Sequence, residues 1–197
     1  MPKVVDRGER RRVLAEAVFA IIAARGLASV SLRDVAAEAG VSMGAVQHYF
    51  TTKDEMLHFA LEHLRGRVLH RLQERVSRLK EPTRRDLIAC GMECMLPLEE
   101  ASRQEACVNV AFVELATVDA SYATLLREGY RHLVDVSQAQ LRAAAAAGEL
   151  APGIEPDDEA VALYFLAQGL IAPLLVGLLT PDQGRDILTR QLDRLFA

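Results

Sequence analysis

The sequence predicts an all-α fold built from nine helices. Apolar residues recur at spacings of three and four along nearly the whole chain, which is the period at which one face of a helix meets a core. Serine or threonine precedes several of these stretches, and glycine or proline follows them, as is typical of helix ends. The sequence does not show the alternation of apolar and polar residues that marks a half-buried strand.

Composition and charge divide the chain into two parts. The 197 residues are 51% apolar and 25% charged, which is typical of a globular protein and not of a disordered one. Residues 1–54 carry eight Lys and Arg against six Asp and Glu, whereas residues 55–197 carry fifteen against twenty-one. We therefore expect a mildly basic domain over 1–54, compatible with a nucleic-acid surface, and an acidic domain over 55–197.

Each of the first three helices carries its own signals. Residues 9–25 place an apolar stripe on one side of the first helix. The stripe consists of Val13, Ala17, Ala20, Ile21 and Ala24. Ser31 and Ser42 are the predicted N-caps of the second and third helices, over 32–39 and 43–50.

Six further helices follow. Thr52 with Glu55, and Thr180 with Gln183, have the spacing of capping boxes that open the fourth and ninth helices. Four arginines on the fourth helix are expected to form a solvated stripe, namely Arg67, Arg71, Arg75 and Arg78. The predicted ranges are 53–80, 83–96, 102–117, 120–147, 157–179 and 182–195.

The eighth helix is apolar on nearly every face. The run from Val161 to Leu179 is long enough to cross a bilayer. It contains Gln168 and Pro173, which is expected to kink it, and no Lys or Arg stands near either end, where membrane spans are usually anchored. We therefore expect a buried interface helix and no membrane contact. Three cysteines and no signal peptide predict a cytoplasmic protein.

Two short helices joined across residues 39–41 fit a helix-turn-helix, in which the second helix enters the major groove of DNA. At about 100° per residue, Val46 and Phe50 fall on the inward side of the third helix. Ala45 on the other side could touch a thymine methyl, and Gln47 could pair with adenine. Side chains of the types that contact phosphate are Ser31, Ser42, His48, Tyr49 and Lys53. The basic arm over residues 2–12 could reach phosphates or the minor groove through Arg10, Arg11 and Arg12.

The run SLRDVAAEAGVSMGAVQHYFTTKDEML resembles the DNA-binding signature of the tetracycline-repressor (TetR/AcrR) family of bacterial regulators. The resemblance covers about residues 9–58 and implies double-stranded DNA as a partner. By position it implies base contacts from Met43, Gly44, Ala45 and Gln47, and phosphate contacts from Ser31, Ser42, His48, Tyr49 and Lys53. Many members have Tyr where Gln47 stands, so the preferred DNA sequence does not carry over.

The second part of the chain is similar to the C-terminal region of the BetI-type branch of the same family. The similarity is carried by an Ala-Thr-x-Asp start, a Gly-Glu-Leu segment and an Asp-Asp-Glu-Ala entry to the eighth helix. It implies a ligand-sensing and dimerisation domain. The candidate lining, which suits an apolar or aromatic effector, consists of Met92, Met95, Phe112, Tyr122, Tyr130, Tyr164, Phe165 and Gln168.

Physical reasoning also predicts a homodimer. A helix that is apolar on nearly every face is not stable on the surface of a monomer. Pairing helices 157–179 and 182–195 with their symmetry mates would cover those faces in a four-helix bundle. The predicted seam consists of Leu163, Leu166, Leu170, Leu174, Leu188, Leu192 and Leu195.

These patterns favour a DNA-binding transcriptional regulator, a repressor that a small molecule releases from a palindromic operator. One alternative is a metal or redox sensor on the same scaffold, built on Cys90, Cys94 and Cys107. Another is a helical scaffold that binds only protein. The sequence lacks the G-x-S-x-G and H-E-x-x-H motifs and a glycine-rich phosphate loop, so we expect no enzyme activity, cofactor or metal.

Overall fold

The structure is a computed structural model that describes residues 7–196; residues 1–6, the start of the basic arm, and residue 197 lie outside the described residues. Within the described range there are nine α-helices and no strand, which confirms the predicted all-α class. The helices are α1 Arg7–Arg25, α2 Leu32–Glu38, α3 Met43–Tyr49, α4 Lys53–Ser77, α5 Arg84–Cys94, α6 Glu100–Ala116, α7 Ala120–Ala146, α8 Pro156–Leu175 and α9 Pro181–Leu195.

The predicted N-caps of α2, α3 and α9 are confirmed by their hydrogen bonds. The hydroxyl of Ser31 accepts from the backbone N–H of Asp34 at 3.1 Å, and Thr180 with Gln183 forms the reciprocal capping box that opens α9. α4 differs in one detail. The N–H of Glu55 donates to Thr52, whereas the Glu55 carboxylate accepts from Thr51 and not from Thr52. These side chains satisfy helix N–H groups that would otherwise lack a partner.

The inward face of α1 is rotated from the predicted stripe. The fully or nearly fully buried residues are Leu14, Ala15, Ala17, Val18, Phe19, Ile21 and Ile22. Val13 is 42% exposed and Ala24 is also exposed, so the prediction for these two was wrong. The predicted stripe started from the first apolar residue, but the bulky side chains that need burial lie about 100° further round the helix.

Pro173 lies inside α8, close to its C-terminal end, and the predicted kink stays a prediction. The helix stops at Leu175, two residues beyond the proline, although apolar residues continue to Leu179. Gly177 has φ 76°, in the left-handed region that favours glycine at a helix C-terminus. The N–H groups of Leu178 and Leu179 both donate to the carbonyl of Pro173.

The described residues form two compact units. Unit 1 contains residues 7–67 and 107–122, and unit 2 contains residues 68–106 and 123–196. α4, α6 and α7 therefore each contribute residues to both units. The predicted division of the sequence after residue 54 stays a prediction.

The core of unit 2 is formed by α5, α8 and α9, with side chains from α6 and α7. α8 is long and apolar enough to cross a bilayer by length and composition alone, a test that the core helix of a soluble protein also passes. Seven of its residues are buried inside the chain. A Cβ on Gly184 of α9 would lie 3.1 Å from a methyl of Leu174, so α8 and α9 pack closely at that point.

Candidate DNA-binding surface

The turn between α2 and α3 is fixed by backbone geometry and two buried valines. Gly40 has φ 64°, and the N–H of Val41 donates to the carbonyl of Ala36 at 2.9 Å. Val35 on α2 and Val46 on α3 are fully buried. α3 is therefore anchored on its inward side, as the sequence predicted.

The opposite side of α3 is open. Of the predicted contact residues on this helix, those exposed are Met43, Gly44, Gln47 and His48, and those half-buried are Ala45 and Tyr49. A Cβ built on Gly44 would meet only the hydroxyl of Ser42, at 4.0 Å. Another molecule can thus approach the backbone of this helix without any rearrangement of the chain.

Three further predicted contact residues lie at helix starts. Ser31 is half-buried, and its hydroxyl is engaged with Asp34 both as donor and as acceptor, so its visible role is that of a cap. Ser42 is exposed, and its oxygen accepts from the N–H of Ala45 at 3.2 Å. Lys53 is exposed at the first position of α4, where the N–H groups of a helix end also attract anions.

The three arginines of the basic arm lie within α1, which begins at Arg7, and not before the first helix as predicted. They point in different directions. Arg10 and Arg12 are exposed, whereas Arg11 is half-buried. The guanidinium carbon of Arg11 lies 4.3 Å from the ring centroid of Phe59 and 5.0 Å from that of Phe50. Sequence reasoning treated the three alike, although Arg11 shares a helical face with Leu14, Ala15 and Val18.

The predicted effector residues fall into two separate groups. In unit 2 the rings of Tyr130 and Tyr164 lie 5.5 Å apart, and Gln168 donates to the Tyr164 hydroxyl at 2.9 Å. Burial raises the pKa of Tyr164, so this hydroxyl stays protonated. Phe165 stands beside Tyr164 and is 63% exposed. Met92 is buried in the core of unit 2, with Met95 packed against that core.

Phe112 and Tyr122 belong to unit 1, and Tyr122 contacts α4. The ring of Tyr122 lies 5.9 Å from Phe112 and 4.6 Å from His58. Burial, with the Asp54 carboxylate nearby, raises the pKa of Tyr122 to about 12. These two predicted effector residues therefore belong to a different unit from Tyr164, and Tyr122 packs against α4, the helix that follows the helix-turn-helix.

The predicted dimer seam is buried within one chain. The core of unit 2 contains six of the seven predicted leucines, and the seventh packs against it. The six are Leu163, Leu170, Leu174, Leu188, Leu192 and Leu195, and the seventh is Leu166. These leucines join α8 to α9 and α5, and their role in a dimer interface stays a prediction. The outward face of α8 is also apolar and carries Val161, Phe165, Gly169 and Ala172, with Val176 just beyond the helix end.

Three of the four arginines in the predicted stripe are paired, contrary to the prediction of a solvated face; the fourth, Arg78, is exposed and follows the last residue of α4. Arg67 binds Glu16 at 2.6 Å, and Arg75 binds Glu93 and Glu99 at 3.1 Å. Arg71 forms an ion pair with the buried Glu105 and donates to the carbonyl of Cys94. The acidic partners lie 18 to 51 positions away in the sequence, beyond the reach of helical spacing rules.

All three cysteines are free, and the surroundings of two of them keep the thiol protonated. Burial raises the pKa of the Cys94 thiol, and the nearby Arg75 and Arg71 only partly oppose it. Burial and Glu93 also raise the pKa of Cys90. Thiolates are the reactive and metal-binding form, so both shifts disfavour a sensor. Among residues 7–196, no group of three or more His, Cys, Asp and Glu side chains could hold a metal ion.

Comparisons with known proteins agree with this geometry. Residues 14–59 match the family described as bacterial regulatory proteins, tetR family, and residues 84–197 match that of the BetI-type transcriptional repressor, C-terminal. The HTH-type transcriptional regulator PksA of Bacillus subtilis (strain 168) is 34% identical over 176 residues, which are 86% of this chain and 80% of PksA.

Solved structures show the same fold. A transcriptional regulator from Rhodococcus sp. Rha1 is 33% identical, with a TM-score of 0.79 over 93% of this chain and 94% of that one. A regulator from Saccharomonospora viridis in complex with choline has a TM-score of 0.86 over 96% and 99% of the two chains, at 22% identity. The chain belongs to the TetR family. It is a DNA-binding transcriptional regulator and not an enzyme.

Proposed function

We propose that this chain is a cytoplasmic repressor that binds a palindromic operator as a homodimer and leaves it when a small apolar or aromatic effector binds. In this proposal residues 1–54 read DNA, and residues 55–197 bind the effector and dimerise. The single observation that carries the DNA-reading part is the open face of α3, where Gly44 lets the helix backbone approach base edges.

The homodimer is supported by the outward face of α8. Phe165 is 63% exposed and Val176 is 78% exposed, with Gly169 and Ala172 between them. A contiguous apolar stripe is costly in water, and a second copy of the same helix covers it by two-fold symmetry. Two recognition helices related by that axis would read two half-sites about one helical turn of DNA, or a multiple of it, apart.

The effector is supported by the aromatic group in unit 2. Tyr130, Tyr164 and Phe165 supply ring faces, and Gln168 supplies an amide that already donates to Tyr164. Rings with a few hydrogen-bonding groups suit an apolar or aromatic ligand. The structural relative with choline supports small-molecule binding on this fold.

An effector controls DNA binding only if it binds one conformation of the dimer better than the other. We propose that α4 transmits the effect of ligand binding to the DNA-binding helices, because it starts directly after the helix-turn-helix and contributes residues to both units.

The DNA-binding surface is tested by selecting fragments from the source genome with the wild-type protein and then comparing two glycine variants. Gly44→Leu adds a side chain where DNA would lie, and the open space there leaves the fold intact. We expect its affinity for the selected fragment to fall about 10- to 100-fold. Fluorescence anisotropy with a labelled fragment measures the change.

Gly66→Leu is the matched control. Gly66 is also an exposed helical glycine with open space around it, but it lies on α4, away from α3. Its affinity should stay within about twofold of the wild type, since it adds the same side chain away from the proposed surface. Equal affinities for the two variants would reject α3 as the reading helix.

A further inference from the structure

We propose that Arg11 is a positioning residue for DNA binding, which acts by clamping Phe50 against Phe59 and not by contacting DNA. This inference rests on the proposed DNA-binding surface around α3. From its charge and its position beside Arg10 and Arg12, Arg11 would be expected to contact phosphate; the inference gives it a different role.

The first step is the direction of the side chain. Arg11 lies on α1 at the spacing of Leu14, Ala15 and Val18, all of which are buried. Its neighbours Arg10 and Arg12 are exposed. The helix therefore turns Arg11 inward and leaves the other two cations for solvent or DNA.

The second step is what Arg11 contacts. Its guanidinium carbon lies 4.3 Å from the ring centroid of Phe59 and 5.0 Å from that of Phe50, and these two rings are 5.5 Å apart. Both distances are within the range of cation–π attraction. The Nε of Arg11 is buried without a hydrogen-bond acceptor among residues 7–196, so the ring faces are the partners that favour the cation there.

The third step is what the two rings hold. Phe50 is fully buried and directly follows Tyr49, the last residue of α3. Phe59 lies on α4, less than two turns beyond Lys53. One guanidinium thus spans both sides of the short connection between the recognition helix and α4. Its removal would let α3 shift relative to Lys53, so that base and phosphate contacts could no longer form together.

Salt dependence separates a positioning role from a phosphate contact. Log affinity falls linearly as log salt rises, and the steepness of that fall is called the slope here. Each lost phosphate contact lowers this steepness by about 1, whereas loss of a positioning residue changes the affinity at every salt concentration by a similar factor. We expect Arg11→Met to weaken binding to the selected fragment about 3- to 30-fold with the slope unchanged. Lys53→Met should lower the slope by about 1.

Arg25→Met is the matched control, because it removes the same charge from the exposed far end of α1. Its affinity should stay within about twofold of the wild type. Stoichiometric titration at high protein concentration gives the active fraction of each variant. A general loss of folding would lower that fraction without changing the affinity of the active molecules.

Phe59→Leu keeps the charge of Arg11 but removes one ring. It replaces Arg11→Met as the test variant if Arg11→Met does not fold. Positioning predicts that Phe59→Leu also weakens binding with the slope unchanged. The inference is overturned if Arg11→Met lowers the slope by about 1, or if either variant binds like the wild type. Failure of the wild-type protein to select any fragment would instead reject the proposed DNA-binding function.

Discussion

The phenol ring of Tyr122, at the start of α7, lies 4.6 Å from the imidazole ring of His58 on α4. The ring of Phe112 on α6 lies 5.9 Å from the phenol ring, and the Tyr122 hydroxyl is buried. The corner between α6 and α7 therefore packs through Tyr122 on α4, the helix that follows the helix-turn-helix.

Raising the pH should weaken the fold through Tyr122. Burial raises its pKa from 10.0 to about 12 in the folded chain. The unfolded chain loses this proton first, so the contribution is complete below about pH 10 and is lost as the pH rises towards about 12. Tyr122→Phe lacks this titration. The free energy of unfolding of the wild type should therefore fall relative to that of the variant across this window.

Denaturant unfolding of both proteins at several pH values measures this difference. The comparison cancels the titration of lysines and of other tyrosines, since both proteins share them. A constant difference between the two proteins from about pH 9 to about pH 12 would show that Tyr122 ionises as readily in the folded chain as in the unfolded one.

Glu105→Gln should destabilise unit 2 strongly. Glu105 is 3% exposed and forms an ion pair with Arg71, and removal of one charge from a buried pair leaves the other uncompensated. We expect a loss of about 3 kcal/mol in the free energy of unfolding, measured by denaturant titration. Asp157→Asn, which breaks the exposed pair with Arg142, is the control and should cost far less. Equal losses would contradict a buried role for Glu105.

Gly177→Ala should destabilise the end of α8 by about 1 kcal/mol, because a residue with a Cβ is strained at a positive φ. Gly177 has φ 76°, and open space surrounds it, so backbone strain and not crowding is the cause. Gly91→Ala, at a helical position that also has open space, should stabilise the chain by about 0.5 to 1 kcal/mol. Thermal unfolding of the two variants compares them, and a shift of the same sign in both would contradict the assignment.

Ala172→Arg should convert the proposed dimer to a monomer. Ala172 is exposed in the middle of the outward face of α8, where a charge would be buried without a partner on dimerisation. We expect the dimer dissociation constant to rise at least about tenfold, measured by analytical ultracentrifugation. Ala145→Arg, on an exposed position of α7, is the matched control and should leave the constant unchanged. A dimer that survives Ala172→Arg would place the interface elsewhere.

Local signals in the sequence were sufficient for much of the fold and for the open face of α3. Ser31, Ser42 and Thr180 were recognisable as caps because a cap and the N–H it satisfies lie three residues apart. The open and buried sides of α3 followed from helical periodicity, since Val46 and Phe50 are the side chains that need burial. Such features depend on neighbours in the chain and need no knowledge of tertiary packing.

Features that depend on distant residues could not be predicted in this way. α8 is apolar on nearly every face, so its periodicity could not tell which leucines would face α9 and which residues would face outwards. The partners of Arg67 and Arg71 come from other helices, 51 and 34 positions away. The inward direction of Arg11 was visible in its spacing from Leu14 and Val18, but the run of three arginines suggested a uniform basic arm.

The contact of Tyr122 with α4 has a consequence for protein engineering. Residues 107–122 belong to the same compact unit as the helix-turn-helix. A chimaera that transplants only the first third of the chain onto a foreign sensor would leave the His58 side of α4 without its cover. The compact unit that contains the helix-turn-helix therefore does not end where the helix-turn-helix sequence ends. A functional chimaera must also include the corner between α6 and α7.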